Sequence, residues 1–340
     1  MKNKNAVLKI LAELCRLLIG VVFIFSGFVK AVDPVGGAIK IGEYLASFGL
    51  DMLQPFTVLL SFNLSAIEFA LGVCMLLGVY RRYVSFLILI FMAFMTPLTL
   101  YLALFDPVSD CGCFGDALVI SNWETFFKNI VLSLAAIVTF IYNQRLFQCF
   151  TFRAYWFVAL YAYLFGVGFA YYNYNHLPVI DFRPYKIGAN IPKLMEMPEE
   201  APQDEYKYTF VYEKDGVKKE FSLEDYPAND SSWTFVDSKT ELVKKGYQPP
   251  VAAFNIYNGK GDDVTEEIIG NPGPVLLLVA PKLEEADDEQ MDEINGVYDY
   301  ALEHDIPFYC VTGSSPEAID TWSDNTAVSY THLTLPTSDL

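Results

Sequence analysis

The chain has 340 residues, 53% of them hydrophobic and 19% charged. That is apolar for a soluble protein and long enough for two domains. Charge is divided sharply: residues 1–180 carry 11 Lys/Arg against 9 Asp/Glu, and residues 181–340 carry 12 against 32. So acidic a half repels nucleic-acid phosphates and anionic lipid heads, which excludes nucleic-acid binding and points to a domain kept dispersed by its charge.

Five apolar stretches approach or exceed the ~20 residues a helix needs to cross a hydrocarbon core. They lie at about 11–29, 56–80, 83–105, 123–142 and 155–174. Backbone groups in lipid must bond internally, so helices are the expected form. Pro97, inside the third stretch, is expected to kink it. Tyr and Trp crowd several ends, among them Tyr80, Tyr83, Trp123, Tyr155 and Trp156, as in an interfacial belt. The first stretch has a basic start but no small-residue cleavage site after it, so it reads as a retained helix.

Basic loop residues give the orientation. Lys2, Lys4 and Lys9 precede the first stretch, Arg81 and Arg82 join the second to the third, and Arg145 and Arg153 join the fourth to the fifth. With the N-terminus inside, all of these fall on the cytoplasmic side. Five crossings then place residues from about 176 onward outside the cytoplasm. Cys15, Cys74 and Cys149 lie toward the cytoplasmic ends, where thiols stay reduced. Cys111, Cys113 and Cys310 lie on the outer side, where disulfides persist.

The loop between the third and fourth stretches reads Asp110-Cys111-Gly112-Cys113-Phe114-Gly115-Asp116. A bond between cysteines one residue apart closes a very tight ring. Extended neighbours at that spacing sit near the ~7 Å upper limit of Cα separation, so such a bond is strained and easily reduced. An accessible, strained disulfide suits electron exchange. Two other readings stand beside a redox Cys111/Cys113 pair: an inert loop with free thiols, and a metal site, for which two Cys with nearby carboxylates supply poor ligands. Cys310, in the apolar run PFYCVTG, is expected to be buried in a strand.

Glu68 falls near the middle of the second stretch. A carboxylate at that depth is costly and marks an interhelical hydrogen bond, a proton-handling site or a quinone-facing site. Lys30 and Asp33 read as an interfacial pair at the outer end of the first stretch.

Together these residues resemble the DoxX/MauE group of membrane proteins. The likeness rests on Phe25-Ser26-Gly27-Phe28-Val29-Lys30 with Asp33-Pro34, on Glu68 leading into Leu71-Gly72 and Leu77-Gly78, and on Cys111-Gly112-Cys113-Phe114-Gly115, which is most similar to the MauE-type signature. It covers about residues 10–145. The resemblance implies a four-helix membrane core at 1–150 and a thiol-redox or disulfide-maturation accessory. The core also resembles disulfide-handling enzymes of the vitamin K epoxide reductase type. A fifth helix at 151–175 and the long acidic tail depart from the four-helix pattern.

The acidic half reads as a linker (176–205) and an α/β, thioredoxin-like extracytoplasmic domain (206–327). Its expected elements are a hairpin about Asp215-Gly216, strands at 251–258, 274–281 and 307–313, and a helix at 288–305. No Cys-x-x-Cys follows the 274–281 strand, so this domain does no dithiol chemistry by itself. Residues 328–340 break the pattern and read as a non-native tail, with the sheet truncated before them. The partners expected are membrane lipid and an extracytoplasmic protein client with thiols or disulfides; the cofactor is open, with a quinone near Glu68 as one acceptor. The leading function is a membrane thiol-redox accessory. The alternative is a non-enzymatic assembly protein whose acidic domain binds a partner, and a small-solute transporter has least support.

Overall fold

A computed structural model describes residues 2–105, 108, 111–198, 201–202, 205–214, 217–222, 233–244, 246–247, 249, 251, 254–283, 286, 291–315, 317–319 and 331–334. The chain divides into two compact units, Met1–Arg183 and Pro184–Leu340.

The first unit is helical. Its elements are α1 (Lys2–Val32), α2 (Pro34–Ser47), α3 (Thr57–Leu77), α4 (Arg81–Phe105), α5 (Asn122–Ile141) and α6 (Tyr155–Asn175). Among the described residues, four segments are long and apolar enough to cross a membrane: Asp51–Leu77, Arg81–Phe105, Asn122–Ile141 and Phe152–Asn175. The first apolar stretch forms part of α1, which packs along α3. Pro97 lies within α4 without ending it.

Burial in this unit is inverted relative to a soluble bundle. Phe86, Ile90, Phe94 and Leu134 point outward, whereas Ser61, Ser65, Glu68, Thr99, Asn129 and Thr139 are buried. That pattern suits a bundle whose solvent is hydrocarbon, in which polar side chains must find partners between helices. Thr96 and Ser133 hydroxyls sit 2.7 Å apart across α4 and α5, and Asn129 donates to Thr99 Oγ1 at 3.2 Å. Close packing of α1 on α3 requires Gly27, where a Cβ would stand 2.4 Å from the Phe69 backbone nitrogen.

One helix was not expected from hydropathy. α2 fills the segment between the first two apolar stretches, capped by Asp33, whose side chain accepts from the Gly36 N–H at 3.0 Å, with Pro34 opening the helix. At the opposite end of the bundle the basic loops meet. Arg81 donates to the Leu146 carbonyl, and the Cys149 N–H donates to Leu77 O at 3.0 Å. Arg16 donates to the Met75 and Leu76 carbonyls at the C-terminus of α3, where a cation is favoured.

The second unit holds α7 (Ile191–Met195), β1 (Glu205–Lys214), β2 (Val217–Ser222), β3 (Thr234–Lys244), α8 (Thr265–Ile269), β4 (Leu276–Val279), α9 (Met291–Glu303), β5 (Phe308–Thr312) and β6 (Thr331–Thr334). β1 and β2 form an antiparallel hairpin, extended by β3 in the order β2-β1-β3. Its turn, Asp215-Gly216, lies outside the described residues. β4 pairs with β5 in parallel through α9, and β6 adds to β5 in parallel.

The expected strand at 251–258 does not form as such. The described part makes a single bridge, Tyr257 to Asp263, because the Ile256 N–H donates to Thr265 Oγ1 at 2.7 Å and its carbonyl accepts from Val264 at 2.9 Å. Thr331–Thr334 of the expected non-native tail form β6, and residues 328–330 and 335–340 lie outside the described ones.

Candidate functional site: a dithiol loop over a buried ion pair

The Cys111/Cys113 loop lies at the end of the bundle where α1 gives way to α2. Three side chains hold it down. The Tyr44 hydroxyl of α2 donates to Cys111 O at 2.8 Å. Ser26 Oγ of α1 lies 2.7 Å from Cys113 O. Asn122 at the head of α5 donates to Val108 O at 3.0 Å. Ser121 caps α5 in a reciprocal capping box with Glu124, which fixes where the loop must end. Of the loop's flanking carboxylates, Asp110 and Asp106 lie outside the described residues.

Gly112 separates the thiols at φ +63°, a left-handed conformation that glycine adopts without a Cβ clash. The chain turns there, and the Cys111 and Cys113 side chains hydrogen-bond to each other as free thiols. An accessible pair is the expectation from sequence. Instead both are buried, at 7% and 9% exposure, because the carbonyl anchors tuck the loop onto α1 and α2.

The pair is electrostatically asymmetric. The hydrogen bond from Cys111 pulls the Cys113 thiol down to about 6, helped by the charges of Lys128 and Lys30, against burial and the Glu68 carboxylate. Cys111 is pushed up by the same hydrogen bond and by burial. The pair therefore loses its first proton more readily than an ordinary thiol, and the proton that stays is shared between the two sulfurs. A low-lying thiolate beside cations is the reactive form of cysteine. Nothing in the sequence marks Lys128. It reaches from α5, with Nζ 4.1 Å from the centroid of the Phe114 ring.

Glu68 lies beneath this loop. Lys30 Nζ stands 2.7 Å from both carboxylate oxygens, with side-chain exposures of 12% and 3%. Lys30 also donates to Ser26 Oγ at 3.1 Å, and Ser26 Oγ lies 2.7 Å from Glu68 Oε2. The hydroxyl has one proton for two acceptors, the Glu68 carboxylate and the Cys113 carbonyl. The charged site and the dithiol loop thus share a hydrogen-bond donor. This corrects the expected Lys30/Asp33 pair: Asp33 is spent on capping α2, and the cation turns inward to the buried carboxylate. A cavity of about 30 Å³ touches Ser26, Lys30, Glu68, Cys113 and Lys128, room for about one water.

Cys310 lies fully buried in β5, where burial pushes its thiol up to about 11. Among the described residues, no group of three or more His, Cys, Asp or Glu is placed to hold a metal ion.

Residues 206–245, which span the β1–β3 sheet, match a family described as a domain of unknown function (DUF8463). No curated protein and no solved structure matches the chain. Residues 8–142, which hold Ser26, Lys30, Glu68, the dithiol loop and Lys128, match the family described as methylamine utilisation protein MauE. Over that region the chain is similar to the MauE family, and three described helices there are long and apolar enough to cross a membrane.

Proposed function

We propose that this protein is a membrane thiol-redox accessory that matures disulfides in extracytoplasmic clients. The observation that carries the reading is the buried Cys111/Cys113 pair, hydrogen-bonded across a left-handed glycine, with one thiol lowered beside two lysines. In the working direction, a Cys111–Cys113 disulfide accepts two electrons and two protons from a client dithiol. The client gains a disulfide and the loop returns to two thiols. Reaction with a client requires the loop to lift from its Tyr44 and Ser26 anchors, which its glycines permit.

The topology follows the basic loops. α1 serves as a fifth crossing, Arg81 and Arg145 face the cytoplasm of a cell (inner) membrane, and the dithiol loop and second unit lie outside. The gathering of Arg16, Arg81 and the 145–149 loop at the end opposite Cys111 supports this. The parallel β4–α9–β5 unit supports a thioredoxin-like reading of 206–327. With no Cys-x-x-Cys, that domain serves to bind the client.

Thiol trapping in intact membranes tests the reading. Cys111 and Cys113 should be alkylated together after reduction and protected together after oxidation. Equal alkylation in both conditions would end the redox proposal. A phenotype that survives Cys111→Ser/Cys113→Ser but not deletion of 184–327 would favour a docking protein instead.

A further inference from the structure

Two adjoining cavities lie at the Arg81 end of the bundle, away from the dithiol loop. The first, of about 420 Å³, is a groove between α3, α4 and α6. Ile67, Ala70, Leu71 and Cys74 line it from α3, at the spacing of one helix face. Val84 and Leu87 of α4 make a second wall, and Ala159 and Tyr163 of α6 a third. The small side chains of Ala70 and Ala159 leave the space between the helices unfilled. All three helices belong to segments long and apolar enough to cross a membrane, and Ile67 and Leu87 are exposed. The groove therefore opens on a surface that hydrocarbon would cover.

The second cavity, of about 380 Å³, shares Tyr80 and Tyr83 with the groove. Arg81, Arg82 and three amides, those of Asn143, Gln144 and Gln148, border it, and the Phe152 and Tyr155 rings complete the wall. Tyr80 stands at the junction with φ +47°, uncommon for a residue other than glycine, and its ring meets Tyr155 edge-on at 5.1 Å. Among the described residues, no carboxylate lines either cavity. Arg81 is held by the Leu146 carbonyl. The Arg82 guanidinium has no hydrogen-bond or ion-pair partner among the described residues.

We infer that the two cavities together bind one anionic phospholipid, with its phosphate on Arg82 and an acyl chain in the groove between α3, α4 and α6. Shape and charge select this class. Along α6 the site runs from Tyr155 to Tyr163, a rise of about 12 Å, close to half of a ~30 Å hydrocarbon core. An apolar slot of that length, joined to a polar cavity at one end, fits an amphiphile. The polar end carries two cations and no acid, so it favours a net negative head over a zwitterionic one. Both arginines also open α4, at the positive end of its dipole, where cations are disfavoured. A phosphate there offsets both charges. Free phosphate makes no use of the groove, and a neutral lipid leaves the guanidinium unanswered.

Purified full-length protein in neutral detergent, titrated with tritiated dioleoylphosphatidylglycerol, tests the site. Dioleoylphosphatidylcholine, with the same tails, and inorganic phosphate, with the charge alone, serve as competitors. Wild type should bind saturably, phosphatidylcholine should compete about fivefold less well or worse, and phosphate at equal concentration should not compete. Arg82→Gln should weaken binding about fivefold, and Arg82→Lys should retain it. Ala70→Leu and Ala159→Leu, which fill the groove from two different helices, should each weaken it by a similar factor. In all four variants Cys111 and Cys113 should alkylate as in wild type, which reports an intact bundle. Equal competition by phosphatidylcholine would overturn the anionic site and make the groove a general acyl-chain seat. Displacement by phosphate, with both Leu variants binding as wild type, would overturn it in favour of a phosphate site without a tail. Absence of saturable binding, or an Arg82→Gln isotherm that overlays wild type, would overturn it outright.

Discussion

Lys30 and Glu68 form a buried ion pair across α1 and α3, with the ammonium nitrogen 2.7 Å from each carboxylate oxygen. A buried pair is expensive to assemble, yet breaking it is worse, because the orphaned charge stays behind. Lys30→Met or Glu68→Leu alone should destabilise the bundle by about 3–5 kcal/mol. The double variant should cost less than either single one. Thermal unfolding of the four proteins in detergent checks this, and simple additivity would refute the pairing.

Gly27 sets how closely those two helices approach. Its missing side chain leaves room for Phe69 N and for Ser65 O, which a Cβ would meet at 2.4 and 2.6 Å. Backbone atoms cannot step aside as a flexible side chain can. Gly27→Leu should separate α1 from α3 and cost about 1–3 kcal/mol or more. It should also raise the alkylation rate of Cys113, because Ser26, one residue away, would lose its hold on the loop. An unchanged melting temperature would contradict the packing.

How much of this was visible in the residues alone depended on the range of the signal. The helices α3 to α6 follow from hydropathy because each is a long apolar run, and their observed ends, such as Thr57–Leu77 against 56–80, differ by a few residues. α2 was missed because it is short and rich in glycine. The local signal was present as Asp33 followed by Pro34, a helix cap followed by its preferred first residue. Glu68 stood out by its depth, but its partner lies 38 residues away, and Lys30 had a nearer acid in Asp33 to suggest a false match. Lys128 carried no local mark, since only the tertiary packing of α5 brings it to Phe114. In the acidic half, β3 was missed and 251–258 misread. Short apolar runs do not reveal whether their backbone groups will go to a strand or, as at Ile256, to a threonine hydroxyl.

Asn173 fastens the end of α6. Its Nδ2 donates to Ala31 O at 3.0 Å, at the end of α1, and its Oδ1 accepts from the Val179 N–H at 2.9 Å. Asn173→Ala removes both contacts and leaves the buried Ala31 carbonyl without this donor, which should cost about 1–3 kcal/mol. Asn173→Asp should restore only the second contact. Hydrogen exchange at Val179 reads the loss directly, and protection equal to wild type in the Ala variant would show that another group holds the turn.

Cys310 and the dithiol should separate cleanly by reactivity. Burial keeps the Cys310 thiol high, at about 11, and its strand leaves it no exposed surface. It should resist alkylation at neutral pH until the second unit unfolds. Modification of Cys310 at the same rate as Cys113 in the native protein would contradict both its burial and its strand.

The pH dependence of Cys113 follows from what lowers it. The thiolate is held by the hydrogen bond from Cys111 first, then by Lys128 and Lys30. Its reactive form is therefore present above a midpoint of about 6 and is lost as the pH falls below it. Replacing Cys111 by Ala removes the largest stabilising contribution, so the midpoint should move upward toward an ordinary thiol. Lys128→Met should move it in the same direction, and Lys128→Arg should hold it low, because it is the positive charge that lowers the thiol. Alkylation rates of Cys113 between pH 4 and 10, in a background lacking the other cysteines except Cys111, give each midpoint. A Lys128→Met profile that overlays wild type would mean that the lysine merely packs on Phe114, and that the thiolate owes nothing to α5.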